Sequence, residues 1–283
     1  MRNEMPFRFR PGTTDKGEFL GSNRYNIYRL PKLFDGNNIV IDIGMHIGSF
    51  SYACLQHGVN SVYGFEPDIE NFNLATENLK QFGSRIHLYN KAVWRSDRSD
   101  DKLFLKPYYN GNTSNTSADT VMDENGSAVE SISFDDIIRN VTNGGQKRVR
   151  LVKLDCEGSE FPILFTSKTL HLIDNICGEC HTKFNDYNFS EYIPEKCRVE
   201  GVERFTMKDI LDLLRKNGFI VDSVRSKYNT LEGIFFAWRR GNSIFDSSRG
   251  LIQFYGYWEN ECLWALRMFY GLFKKIGLVK KFS

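Results

Sequence analysis

Four short stretches put glycines or ionisable residues directly after apolar runs, where they could act on a bound ligand. They are Asp42-Ile-Gly44-Met-His-Ile-Gly48, Phe65-Glu66-Pro67-Asp68, Asn90-Lys-Ala92-Val-Trp94 and Lys153-Leu-Asp155-Cys-Glu157-Gly-Ser-Glu160. Gly44 and Gly48 allow a sharp turn and a close backbone approach, and a helix after them offers free amide donors. Met45-His46 stand where a dinucleotide fingerprint places its second glycine, so the spacing is Gly-x-x-x-Gly. Glu66 closes the next apolar run, where a carboxylate can accept both hydroxyls of a ribose. It also suits the first charge of a helix opening at Pro67-Asp68. Taken together, the glycine turn and the acid describe a cofactor containing a nucleoside.

The fourth stretch carries acid–base groups. Strand alternation puts Lys153 and Asp155 on one face and Cys156 on the other, and a buried lysine needs a carboxylate partner. Asp155 is the first choice for a general base and Glu157 the second, while Glu160 falls in a first helical turn and suits the helix dipole. His181, with Glu179 before it in Gly178-Glu179-Cys180-His181, follows another apolar run and can reach the same crevice. Its imidazole suits proton transfer near neutral pH. Asp155, Glu157, Glu179 and His181 could equally hold a divalent metal, and oxygen-rich ligation favours magnesium or manganese. The sequence leaves base and metal both open. Cys177 and Cys180 have zinc-like spacing, with Cys197 as a further ligand, but no second pair accompanies them; all six cysteines are read as reduced thiols.

Positioning these groups requires an alternation of strands and helices. Strands are predicted at NIVIDIG, SVYGFEP, RIHLYNKAVW, VRLVKLD and IDNICGEC, with helices over 48–57, 68–82, 133–140, 159–170 and 207–216. FIVDSVRS and LEGIFFAWRR, joined by a short Tyr-Asn-Thr turn, are expected to pair as an antiparallel hairpin. Residues 96–130, rich in Asn, Ser, Thr and Gly, read as a long surface loop. Ligands of an open α/β sheet bind at the carboxyl ends of its strands, which is where the four stretches fall.

The 283 residues carry 37 Lys+Arg against 35 Asp+Glu, a net charge of +2, with 41% hydrophobic residues. This profile excludes a disordered or multispanning chain and argues against one devoted to nucleic acid. Residues 1–37 read as an N-terminal cap segment, 38–240 as the main domain and 241–283 as a basic, aromatic helical tail. Residues 239–283 hold eight Lys/Arg and three Asp/Glu. In 251–282 apolar residues at helical spacing meet a lysine cluster, which fits peripheral contact with a membrane surface. A helix packed on the domain or on a second subunit of a homo-oligomer fits as well. With no apolar core for a secretory signal and no spanning segment, the expected location is cytoplasmic, if peripheral then at the inner face of the membrane.

These residues resemble FkbM-type S-adenosylmethionine-dependent methyltransferases over about residues 9–165. The resemblance is carried by FRPGTTDKGEF, NRYNIYRLP, IDIGMHIGSFS, YGFEPDIENF, NKAVW, SFDDII and VKLDCEGSEFPIL. It implies a Rossmann-like class I methyltransferase, α/β, with a seven-stranded, mostly parallel sheet ending in an antiparallel hairpin. It implies that Asp42, Gly44 and Gly48 line the methionine end of the cofactor, that Glu66 holds its ribose, and that Asn90 and Ala92 border the adenine. Tyr25 is expected either to close over the pocket or to pack in the core. The family usually has Ala-Asn where Met45-His46 stand. The implied activity is O-methyl transfer to a sugar hydroxyl of a polysaccharide or glycolipid. Small natural products, or a non-catalytic role in glycan assembly, are the alternatives. A nicotinamide-dependent oxidoreductase would share the first β-α-β unit but should show GxGxxG.

Overall fold

Continuous apolar runs form the centre of the chain, as expected for strands covered on both faces. The computed structural model describes residues 7–36, 38–98, 101–107, 118–121, 126–184, 187–188, 193, 197–225 and 233–246. In the main sheet, β1 (Ile39–Ile43) is central, flanked on one side by β2 (Ser61–Phe65) and then β3 (Ile86–Tyr89). On its other side lie β9 (Leu151–Leu154), β10 (Asn175–Cys180), β14 (Gly233–Trp238) and the edge strand β13 (Ile220–Arg225). All neighbours are parallel except β14, antiparallel to both β10 and β13. This is the seven-stranded, mostly parallel α/β sheet with a terminal hairpin that the sequence leads one to expect. Its order reverses at β1, so the crevice at the carboxyl ends of β1 and β9 is the expected ligand site.

Strand alternation divides the core in two. Ile41, Ile43, Val152, Leu154 and Ile176 face one layer, formed by α4 (Phe134–Val141), α5 (Glu160–Thr166) and α6 (Met207–Lys216). Val40, Val62, Leu151, Cys177 and Phe236 face the other, formed by α2 (Ser49–Gln56), α3 (Ile69–Leu79) and the irregular segment carrying Tyr28, Leu30 and Phe34. Each fully buried large apolar side chain stabilises by about 1.5–3 kcal/mol, which makes both layers necessary to a sheet of this width. Helix starts follow local chemistry: Asp68, Ser133 and Thr206 accept from the backbone N–H three residues on, capping α3, α4 and α6.

Several boundaries depart from expectation. The predicted strand RIHLYNKAVW breaks after Tyr89, because Asn90 turns its amide to the carbonyls of Glu66 and Pro67. Beyond the break, β4 (Ala92–Trp94) leaves the main sheet and pairs in parallel with β8 (Ser131–Ser133). Within the expected 96–130 loop lie β5 (Leu103–Pro107), β6 (Ala118–Val121) and β7 (Ser127–Val129), an antiparallel sheet with β5 central. The helix from Ser159 stops at Thr166 rather than Leu170, since the buried Asp135 carboxylate takes the Ser167 and Thr169 hydroxyls and the Lys168 N–H. A two-stranded hairpin, β11 (Lys183–Phe184) with β12 (Tyr187–Asn188), was not anticipated. Ahead of the sheet, α1 (Asp15–Leu20) and a π-turn over Gly21–Tyr25 lead the chain back across the crevice. Residues 241–246 return against the sheet, with Ile244 buried beside Phe236. The expectations for the helical tail, its membrane contact over 251–282 and its part in a homo-oligomer lie outside the described residues. Among the described residues, no helix is long and apolar enough to cross a membrane.

Candidate active site

The turn after β1 is built around Gly44, whose φ is +71°. A Cβ there would lie 1.7 Å from the main-chain oxygen of Asp155, so only glycine lets the ends of β1 and β9 approach. The Gly44 carbonyl accepts from Lys153 Nζ at 2.7 Å. Lys153, 3% exposed, also sits 3.4 Å from Asp42 Oδ1 and 3.2 Å from Asp155 Oδ2. Burial works against its charge, but Asp155 and Asp42 outweigh burial and keep the ammonium protonated. Asp42 is fully buried and accepts from Ser51 Oγ at 2.7 Å.

At the end of β2, Glu66 is 6% exposed, and both of its oxygens are engaged. Oε2 accepts from the His46 N–H at 2.8 Å and Oε1 from the Asp68 N–H at 2.9 Å. Burial lifts its carboxyl to about 7, against the pull of those two amides. A carboxylate oxygen offers two lone pairs, so each can still accept a ligand hydroxyl. His46, at φ +53°, places its ring 3.3 Å from Arg10 Nη2 and 3.6 Å from Asp15 Oδ1. Burial brings its imidazole down to about 4, so it is neutral at physiological pH. Arg10 also donates to Asn71 at 2.7 Å, tying the N-terminal segment to α3.

The turn between β9 and α5 is organised by Glu160, which is wholly buried. Its Oε1 accepts from the Cys156 N–H at 2.7 Å and its Oε2 from the Gly158 N–H at 2.8 Å. Between them Glu157 takes a left-handed backbone, φ +52°. Glu160 Oε1 also lies 3.1 Å from His181 Nδ1. The other ring nitrogen, Nε2, is 3.8 Å from Glu157 Oε2 and 3.7 Å from Glu179 Oε2. Burial disfavours an imidazolium there, but Glu160 and Glu157 prevail and raise the His181 pKa well above its usual value. From the N-terminal segment, the buried Tyr28 hydroxyl reaches Asp155 Oδ2 at 3.1 Å and Glu179 Oε1 at 3.3 Å. Burial raises the Asp155 carboxyl, yet Lys153 and His181 overcome this and hold it below the usual range. Burial and the neighbouring Asp155 push Glu179 up to about 8.

Gly44, His46, Glu66, Asp155, Glu157, Glu179 and His181 line one cleft of about 160 Å³. One end has Glu66 with apolar Phe65, Ala92 and Val93; the other has Asp155, Glu157, Glu179 and His181, with Glu18 of α1. Of the residues singled out from sequence, Gly44, Glu66, Ala92, Asp155, Glu157 and His181 line it. Asp42, Gly48 and Asn90 do not, and each supports the lining from behind. Asp42 holds Lys153, and Asn90 fixes the backbone after Glu66. Gly48, at φ +88°, opens α2 where a Cβ would lie 2.8 Å from Leu79 Cδ1. Tyr28, rather than Tyr25, supports the cleft, its buried hydroxyl bonding the lining residues Asp155 and Glu179. Cys177 and Cys180 sit on opposite faces of β10, in different core layers, so they cannot share a zinc ion. Sequence reasoning missed Tyr28, Glu18 and His46, and assigned Glu160 only to the helix dipole.

A family model described as Methyltransferase FkbM domain matches residues 42–221. Among solved structures, an O-methyltransferase family protein from Burkholderia thailandensis is similar at 12% identity and TM-score 0.42, over 80% of this chain and 58% of that one. The chain therefore spans somewhat over half of that protein's length. Precorrin-6y C5,15-methyltransferase from Geobacter metallireducens GS-15 is similar at 10% identity and TM-score 0.41, over 84% and 95% of the two chains. M. capricolum TrmK in complex with S-adenosyl-homocysteine is similar at 11% identity and TM-score 0.41, over 77% and 68%. No curated protein matches the sequence.

Proposed function

Because the chain belongs to the FkbM methyltransferase family, we propose that its cleft binds S-adenosylmethionine and directs O-methylation of a sugar hydroxyl on a polysaccharide or glycolipid. The carrying observation is that Glu66 and the Asp155–Glu157–His181 cluster lie in one cleft. The residues present fit the cofactor. Glu66 keeps lone pairs for two ribose hydroxyls, and Gly44 brings its backbone to the cleft wall beside it. Phe65, Ala92 and Val93 offer apolar surface to a purine, and the acidic end suits the cationic sulfonium and ammonium.

Once bound, S-adenosylmethionine supplies a methyl carbon already electrophilic, on a sulfonium that departs as a neutral thioether. The chain's own task is then alignment of the acceptor and management of its proton. Alignment contributes up to about 7–11 kcal/mol in favourable cases. A sugar hydroxyl is scarcely ionised at neutral pH, and its proton must be taken. Asp155 and Glu157 are carboxylates placed to hold that hydroxyl and accept its proton. Lys153 and Tyr28 fix Asp155, while Glu160 fixes His181 beside it. Glu18, Asp155, Glu157 and Glu179 together present acceptors to a polyhydroxylated ligand, which favours a sugar over an apolar acceptor.

The test is calorimetric titration of the metal-depleted protein with S-adenosylhomocysteine, with NADH in parallel, followed by labelled methyl transfer to sugar acceptors. Binding of S-adenosylhomocysteine alone is expected. Binding of NADH alone, or transfer only to nitrogen or carbon acceptors, refutes the assignment.

A further inference from the structure

We propose that Asp155, Glu157 and His181 form a site for a divalent cation of the magnesium–manganese class at the acceptor end of the cleft. This deepens the methyl-transfer reading, and rests on it only for what the ion would do. The first ground is convergence: one ligand atom from each of the three residues lies within 4.8 Å of the others. An octahedral ion with bonds of about 2.1 Å sets neighbouring donors about 3 Å apart and opposite donors about 4.2 Å apart. Small side-chain adjustments close that gap.

The second ground is how His181 is held. Its Nδ1 is engaged by Glu160 at 3.1 Å, and Glu160 is itself locked by the Cys156 and Gly158 amides. A carboxylate behind the distal nitrogen is the usual support of a metal-binding histidine, because it fixes the tautomer and aims the other nitrogen. Here the aimed nitrogen, Nε2, stands 3.8 Å from Glu157 Oε2 and 3.7 Å from Glu179 Oε2. Both gaps exceed a hydrogen bond, and both match donors that share an ion.

Charge and chemistry complete the case. Lys153 and Tyr28 both use Oδ2 of Asp155, and Oδ1 is engaged by neither. Two carboxylates and one imidazole suit Mn²⁺ better than Mg²⁺, which prefers oxygen alone. The three ligands are half-buried and face the cleft, so further coordination positions remain for acceptor oxygens. The ion would act as a Lewis acid on the acceptor hydroxyl and make its proton easier to lose.

The experiment titrates chelator-stripped protein with MnCl₂ alone, following the loss of the free-ion signal by electron paramagnetic resonance. One Mn²⁺ per chain is expected, with affinity lowered at least about tenfold in Glu157→Gln, His181→Ala and Glu160→Gln. Circular dichroism checks each variant, and Glu157→Gln, altering a half-exposed side chain, carries the test if His181→Ala does not fold. Absence of saturable Mn²⁺ binding, or binding unchanged in Glu157→Gln, overturns the site. S-adenosylhomocysteine affinity is measured on the same wild-type sample. Mn²⁺ binding without nucleoside binding sinks the cofactor reading and leaves the ion site standing, and the converse result does the reverse.

Discussion

Replacing Glu66 with Gln tests the cofactor end without dismantling it. In the wild type, the two oxygens accept the His46 and Asp68 amides, and the carboxyl is lifted from 4.5 to about 7. Glutamine keeps one oxygen and turns an NH₂ toward the other amide, leaving a buried N–H unsatisfied at about 1–3 kcal/mol. It also removes a buried charge, and the upward shift corresponds to about 3 kcal/mol at 1.36 kcal/mol per unit. At pH 8 the two effects nearly offset, so the variant is expected to fold. Binding is different. Two ribose hydroxyls donating to a carboxylate form charge-assisted bonds, and loss of the charge is expected to cost about 1.5–3 kcal/mol. That is a roughly 10- to 150-fold weaker Kd for S-adenosylhomocysteine.

The pH dependence adds an internal check. Below about 7 the free protein carries a proton on Glu66 that must leave before both hydroxyls can be accepted. Wild-type affinity should therefore fall about tenfold per pH unit below 7 and level off above about 8, whereas Glu66→Gln should be flat. The same shift means the folded, unliganded protein binds the extra proton. The stabilisation is present below about 4.5 and is lost as pH rises through about 7, and the variant lacks that loss. Calorimetry from pH 5.5 to 8.5 reads the affinities, and urea unfolding reads the stability. A variant Kd within about threefold of wild type, or a retained slope below pH 7, would refute the ribose assignment.

Other perturbations separate binding from chemistry. Asp155→Asn should cut kcat by at least about a hundredfold while changing S-adenosylhomocysteine affinity little, because Lys153 keeps Asp42 and the Gly44 carbonyl; steady-state kinetics beside calorimetry tells, and preserved turnover moves the proton acceptor elsewhere. Tyr28→Phe removes a hydroxyl donor from Asp155 and Glu179, so the Asp155 pKa should rise and the acidic limb of the kcat profile should shift upward. An unmoved limb would show that Tyr28 only packs. Gly44→Ala drives a Cβ into the Asp155 carbonyl and should abolish soluble folded protein, whereas Gly17→Ala, in α1 with no heavy atom within 4 Å of the added carbon, should leave the melting temperature equal or higher.

Much of this was legible in the chain. The apolar runs of β1, β2, β9 and β10 are covered on both faces, and such strands announce themselves without a partner. The acids of the fourth stretch were legible because they close one of those strands. The small strands β5 to β8 were hidden because composition averages over a segment. Leu103 and Leu105 alternate inward within surroundings that are otherwise polar. Tyr28 was hidden for another reason, since its partners lie 127 and 151 residues away and nothing local names them. The local backbone offers no periodic signal either, because Tyr28 sits in a turn between Asn26 and Arg29, both left-handed at φ +49° and +54°. His46 and Glu160 could be seen, but their use of backbone amides and ring nitrogens depends on turn geometry that spacing does not specify.

The N-terminal segment that closes the cleft also fixes a timetable. On a ribosome adding about 5–20 residues per second, Tyr28 emerges roughly 8–30 s before Glu179, 151 residues later, can meet it. Through that interval a nascent chain has the beginnings of a sheet and no finished acid cluster. A chain cut before residue 179 would keep Gly44, Glu66 and Ala92 of the nucleoside end, yet leave Tyr28 and Asp155 without Glu179 and His181.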